Sequence, residues 1–315
     1  MAPQKSPCAI HGHRGARGHA PENTLASFQA ACALGVDGLE FDVLISADER
    51  VVIHHDHQLN PSLCRYSAGV WLRPPTPKIR ALSSAALKAY DVGRARSDSE
   101  IAKRFPLQRP AEGAQIPLLE DLAGWWRTLT PFRPILNIEL KSHPDLPDDT
   151  PPARDYVRIV LNEIKRFELT GYVWLQAFDW RLLIEVQAQA PEIPTGYLSS
   201  ETDEEPTVYA DVESPWLAGF DPFRFHSDLA GAIKEAKGAY WGPWIGDLSQ
   251  EKVQHARSLG LGVHPWTLNH NDDFEKALAW GVSGVTTDYP DRARAVFSEN
   301  SVVLPRPCIS HRTNV

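Results

Sequence analysis

Two imidazoles, two cationic side chains and three carboxylates stand at spacings that suit phosphate chemistry. In His11-Gly12-His13-Arg14-Gly15 an imidazole and a guanidinium follow a short apolar run, Glu40-Phe41-Asp42 sits inside GVDGLEFDV, His55-Asp56 closes VVIHHD, and Glu139-Leu140-Lys141 closes NIELK. Residues two apart on a strand share a face, so Glu40 and Asp42 present paired carboxylates, and Glu139 lies beside the Lys141 ammonium. Three hard oxygen ligands without a thiolate suit Mg2+ or Ca2+, whereas zinc would want imidazole or sulfur. Two histidines near such a cation can act in turn as general acid and base, while Arg14 and Lys141 offer positive charge to phosphate oxygens. That combination is phosphodiester chemistry.

These groups converge only if the elements bearing them do. The chain alternates short β-rich runs with amphipathic stretches: CAIHGH (8–13), TLASFQAACALG (24–35), VDGLEFDVLI (36–45), VVIHH (51–55), PILNIELK (134–141), YVRIVLNEIKRFEL (156–169), YVWLQAF (172–178) and WRLLIEVQAQA (180–190). PTGYLS, PWLAGF, SDLAGAIKEAK, AYWGP, SQEKVQHARSLG, LGVHPWTL, DDFEKALAWG and GVTT continue the alternation to residue 287. Roughly eight such units predict an α/β fold, a closed (β/α)8 TIM barrel with active-site groups at the C-terminal strand ends. No GxGxxG turn marks an open nucleotide-binding sheet. The stretch 57–116, rich in Pro and Arg with one helical candidate near Ser83–Tyr90, breaks the rhythm and reads as an insertion after an early strand, lying over the C-terminal mouth. Residues 1–315 are taken as one domain, and 299–315 as a tail. Thr24 is the expected cap of the first helix.

Composition narrows the partners. Hydrophobic residues make up 43% of the 315-residue chain, enough for a large core, and the charge of -8 argues against nucleic acid as a partner. No apolar run reaches the ~18 residues of a membrane span, and the N-terminal stretch lacks the apolar core of a secretory signal, so the expected compartment is cytoplasmic. Cys8, Cys32, Cys64 and Cys308 are too scattered for a disulfide framework or a zinc site. Oligomeric state is not legible.

Taken in order, HRGARGHAPENTLASF, GVDGLEFDV, VVIHHD, IPLLEDL, NIELK, QAFDW, HPWTLN and GVTTDYP resemble the motifs of the glycerophosphodiester phosphodiesterase family over residues 11–290. The resemblance implies that His13 and His55 are the acid/base histidines, that Arg14 and Lys141 bind and neutralise the phosphate, and that Glu40, Asp42 and Glu139 hold the divalent cation. Trp266 would line the substrate pocket, and Glu22 and Asn23 would support the mouth. The implied reaction is hydrolysis of a small glycerophosphodiester to glycerol 3-phosphate and an alcohol, with lysophospholipid cleavage on the same site as an alternative. Ala177 departs from the usual serine of the family's QSF motif. His54 competes with His55; His55 is chosen because Asp56 follows it.

A zinc amidohydrolase reading of His11, His13 and Asp288 would need His226 or His264 as further ligands and would leave the carboxylates and Lys141 unused. A catalytically silent barrel has no physical need to keep a costly cluster of buried charge.

Overall fold

The computed structural model describes residues 8–310. The ends of the 1–315 domain reading, and the last five residues of the 299–315 tail, lie outside them. Eight parallel strands form the barrel: β1 (Ala9–Gly12), β2 (Gly38–Ile45), β3 (Ile135–Leu140), β4 (Val173–Ala177), β5 (Thr195–Ser199), β6 (Tyr240–Pro243), β7 (Gly262–Val263) and β8 (Gly284–Thr287). From β1 to β7 each pairs with the next in sequence order, and β8 pairs with β1. The β7–β8 seam is bridged by the Ser283 amide donating to the Val263 carbonyl at 2.8 Å and the Thr286 amide to Pro265 at 3.0 Å.

Helices cover the outside: α1 (Leu25–Leu34), α2 (Leu119–Trp126), α3 (Ala153–Arg166), α4 (Trp180–Gln189), α5 (Leu229–Glu235), α6 (Gln250–Ser258), α7 (Asn271–Trp280) and α8 (Pro290–Glu299). None is long and apolar enough to cross a membrane. Local chemistry sets their starts. The Thr24 hydroxyl accepts from the Ser27 amide at 3.2 Å, and Ser249 caps α6 through the Lys252 amide.

All eight residues of β2 are buried, because a barrel strand meets helices on one face and the interior on the other. The odd positions Leu39, Phe41, Val43 and Ile45 join the main core. The even positions Glu40 and Asp42 are buried among the site groups. Deeper in the barrel, Trp174 packs against His11, Tyr240 and His264 with ring centroids 4.1–5.1 Å apart. Glycines on facing strands make room for these rings; a β-carbon on Gly38 would stand 2.5 Å from the His11 imidazole.

The VVIHH run is not a barrel strand. Val51–Ile53 pairs antiparallel with β2, so β2 and this run form a hairpin, and a buried apolar run looks alike in either pairing. PWLAGF likewise forms a turn rather than a strand. Between His57 and Ile116 the chain carries the helices Ser84–Leu87 and Glu100–Arg104 and builds a second hydrophobic cluster around Leu59, Cys64, Leu72, Ile79 and Ile116, joined to Leu44 of β2. Near the other end, Ile309–Ser310 pairs antiparallel with Leu129–Thr130.

Candidate active site

Strand register brings the carboxylates together. In the β2–β3 ladder Asp42 lies opposite Glu139, and Glu40, two residues back, opens on the same face. One oxygen from each of Glu40, Asp42 and Glu139 falls within a group whose atoms are all within 4.8 Å of one another. It is the one such group among the described residues; His11, His13 and Asp288 do not form another, His226 is exposed on a loop, and His264 is spent in the interior stack. Three buried acids at that spacing repel. Burial, then Asp42 and Glu139, push the Glu40 carboxyl well above its ordinary range, and burial likewise raises Glu139. A hard divalent cation fits this donor set, because it would relieve the repulsion and accept oxygen ligands alone.

Arg14 and Lys141 flank the acids. The Arg14 amide donates to Glu40 Oε2 at 2.9 Å, its Nε lies 3.2 Å from Asp42 Oδ2, and its Nη1 donates to Glu22 Oε1 at 2.6 Å. Lys141 Nζ donates to Glu139 Oε1 at 2.6 Å and lies 3.9 Å from Asp42 Oδ1. Asn23 donates to Asp42 Oδ2 at 2.8 Å, so the PENT turn holds a carboxylate in place. The loop after β1 depends on Gly15, whose φ of +91° suits glycine and where a β-carbon would meet the Ser27 hydroxyl at 2.4 Å. Despite the penalty of burial, Arg14 and the nearby His55 hold the Asp42 carboxyl far below its ordinary range.

Each predicted histidine is paired with an acid. His13 follows β1, and the β1–β8 register sets it beside Asp288: His13 Nδ1 donates to Asp288 Oδ1 at 2.7 Å. Fully buried Asp288 also accepts from Arg17 Nε at 2.9 Å and from Asn269 Nδ2 at 2.8 Å. His55 Nδ1 donates to Asp56 Oδ1 at 2.6 Å, and its Nε2 accepts from Lys141 Nζ at 3.2 Å. Both acids are held low, and an ionised carboxylate only accepts, so each ring carries its proton on Nδ1 and turns the Nε2 lone pair inward. His13 Nε2 points to Glu40 Oε2, 3.9 Å away. Burial, reinforced by Arg17 at His13 and by Arg14 and Lys141 at His55, lowers both rings to about 4. His54 faces the other way, into a small cavity beside Leu63 and Val92, with its Nε2 unpartnered.

These groups open into a cavity of about 1050 Å³ at the C-terminal ends of the strands. Trp266 lines it, its indole N–H donating to the Gly242 carbonyl at 2.9 Å and its ring edge-on to Phe178 at 5.3 Å. Of the fifty-seventh to one-hundred-and-sixteenth residues, His57 and Arg104 reach the cavity wall. Sequence reasoning left Asp288 and Arg17 without a part in the phosphate site. Asp288 stood in the TDYP motif, but its pairing with a group 275 positions earlier needs the closed barrel to be seen.

Comparison with known proteins agrees with the architecture. The profile of the Glycerophosphoryl diester phosphodiesterase family matches residues 13–292. A protein of Bacillus subtilis (strain 168) named glycerophosphodiester phosphodiesterase is 29% identical over 287 residues, covering 89% of this chain and 83% of its own. The human protein named Lysophospholipase D GDPD1 is 26% identical over 296 residues, covering 90% of this chain and 83% of its own. A solved structure from Silicibacter pomeroyi, provisionally named a glycerophosphoryl diester phosphodiesterase, superposes with a TM-score of 0.83 at 33% identity over 95% of each chain.

Proposed function

The chain belongs to the Glycerophosphoryl diester phosphodiesterase family, and we propose that it hydrolyses small glycerophosphodiesters to glycerol 3-phosphate and an alcohol with the help of a divalent cation, Mg2+ or Ca2+. The observation that carries this reading is the meeting, in one cavity, of two histidine–carboxylate pairs, an arginine, a lysine and a three-carboxylate group.

Glu40, Asp42 and Glu139 would hold the cation, which when bound supplies positive charge to the phosphoryl oxygens. Arg14 and Lys141 bind and orient the same oxygens, and together they favour the transition state, where charge on them is greatest. Trp266 walls the pocket. One ring of the His13/His55 pair takes the proton of the substrate's own glycerol hydroxyl at Nε2 as that oxygen attacks phosphorus. The other ring, which takes up a proton at Nε2 as the phosphate anion settles beside it, gives that proton to the departing alcohol. Water then opens the cyclic phosphate with the two rings exchanging parts. A tethered hydroxyl avoids the entropic cost of capturing water, an advantage that can reach several kcal/mol. Asp288 and Asp56 are positioning residues in this scheme, each fixing one tautomer.

The test is incubation with glycerophosphocholine and Mg2+ or Ca2+, followed by phosphorus NMR. Glycerol 3-phosphate should appear, and its absence with any glycerophosphodiester refutes the reading. Lysophospholipid cleavage is the second reading, favoured by the named activity of the human relative and by the aromatic residues on the cavity wall. A water-soluble substrate and four buried cysteines that form no disulfide among the described residues both suit the cytoplasm.

A further inference from the structure

The cavity's cations are confined to one side, where they stand among Glu40, Asp56, Glu139 and Asp145. Its cationic lining side chains, Arg14, Arg17, Arg104 and Lys141, all come from the first half of the chain, together with the lining histidines. The lining contributed by residues 176–286, from the ends of β4 to β8 and their loops, contains no Lys, Arg or His. It contains three consecutive carboxylates, Asp203, Glu204 and Glu205, in the long loop after β5, and these form no ion pair among the described residues. The same wall carries Phe178, Tyr209, Trp216, Trp244 and Trp266.

A second observation points to a ligand at this wall. Ser200, only 2% exposed, is among the residues lining the cavity, and its buried hydroxyl has no hydrogen-bond partner. Connection to the phosphate end is short: Lys141 Nζ lies 5.9 Å from the Phe178 ring centroid, Phe178 meets Trp266, and Trp266 is bridged to Trp244, whose amide donates to Ser199 at 3.0 Å. Trp216 is fixed edge-on against His143 at 4.7 Å.

Resting on the proposed function, we infer that this wall is a subsite for the alcohol half of the substrate and selects alcohols bearing an ammonium group. An indole or phenyl face attracts a cation, best when the cation is large and weakly hydrated, and nearby carboxylates add a field of the same sense. The phosphodiester anion meets Arg14 and Lys141 on one side while the cationic end of the same molecule meets Asp203, Glu204, Glu205 and the indoles on the other. A neutral alcohol such as glycerol gains nothing from those carboxylates or from the cation-attracting faces of the rings. The Ser200 hydroxyl is free to take a hydrogen bond from a primary ammonium or give one to an alcohol oxygen.

The experiment compares glycerophosphocholine and glycerophosphoethanolamine with the neutral-headed glycerophosphoglycerol, in the parent and in D203N/E204Q/E205Q. In the variant, kcat/KM for the two cationic substrates should fall about five- to tenfold, mainly through KM, and the difference should shrink with salt; glycerophosphoglycerol should stay within about twofold and so also reports an intact fold. Equal losses on all three substrates, or none on any, overturn the subsite. Lysophosphatidylcholine cleavage that falls in Trp216→Ala but ignores the charge substitutions would assign the wall to an acyl chain and overturn it as well. Choline alone should quench tryptophan fluorescence in the parent and not in the triple variant. That readout needs no turnover, so it separates a failed subsite from a failed reaction: quenching without hydrolysis of any diester would keep the cation site and refute the catalytic reading.

Discussion

Replacing Asp288 with Asn changes one atom of a side chain that every neighbour addresses as an acceptor. His13 Nδ1, Arg17 Nε and Nη2, and Asn269 Nδ2 all donate to its two oxygens, at 2.7, 2.9, 3.2 and 2.8 Å. An amide offers one acceptor oxygen and one NH2, so at least one of these donors must face another donor. If the amide oxygen takes the Oδ2 place, facing Arg17 Nη2 and Asn269, the new NH2 faces His13, which relieves the conflict by moving its proton to Nε2, and the ring can no longer take a proton from the substrate. Loss of a general base costs about 10²–10⁴ in kcat, and we expect about 10³ with KM little changed. Stability falls too, because the Arg17 guanidinium loses its ionic partner in a buried site. Glu22, 3.5 Å from Arg17 Nη1, keeps part of the compensation, so the loss should be about 2 kcal/mol rather than the ~3–5 of a fully orphaned charge. Asp288 holds the His13 pKa up while Arg17 holds it down, so the variant's basic form should persist to lower pH. The assay is kcat and KM on glycerophosphocholine across pH, with the thermal midpoint measured alongside. A folded D288N enzyme within threefold of the parent's kcat would refute the positioning role and weaken the case for His13.

Glu139→Gln should weaken Mg2+ or Ca2+ binding in titration calorimetry and lower turnover with it, because it removes one of three ligand charges; full activity after dialysis against EDTA would contradict the metal assignment. His13→Ala and His55→Ala should each lower kcat at least ~100-fold, and an analogue lacking the glycerol hydroxyl next to the phosphate should bind competitively yet resist cleavage. Comparable cleavage of that analogue would mean that water attacks directly. Burial, against the pull of the Ile10 amide and Arg294, raises Asp37 to about 6, so the folded state binds this proton more tightly than the unfolded chain. Its carboxyl therefore destabilises as pH rises from about 4 through 6, on the order of 1–2 kcal/mol once partial exposure is discounted. Asp37→Asn should show a thermal midpoint that gains on the parent over that interval, and no such gain would place the carboxyl in water.

The alternation of runs was enough to read the barrel, since short β-rich runs such as ILNIEL and VWLQA are each followed by an amphipathic helix. It was not enough to orient Val51–Ile53. A three-residue buried run has no period that distinguishes parallel from antiparallel pairing, and the five-residue link from β2, too short for a crossover, was the signal available. The acid pair Glu40 and Asp42 was legible because two-residue spacing is a property of any strand. That Asp42 lies opposite Glu139 is set by inter-strand register, which sequence spacing does not encode. The choice of His55 over His54 rested on a neighbour, Asp56, and the structure has that same carboxylate on the His55 ring. Asp288 and Arg17 were out of reach because their roles come from barrel closure.

Because β8 hydrogen-bonds to β1, the first and last strands of the barrel meet at the same imidazole. A polypeptide synthesised from its N-terminus has made Arg14, both histidines, the three carboxylates and Lys141 by residue 141, less than halfway along. It still lacks the carboxylate that orients His13. On the proposed mechanism, stalled or prematurely terminated chains would carry nearly every group it assigns and yet be silent, so hydrolysis in a translation reaction would time the synthesis of Asp288 rather than that of His13 and His55.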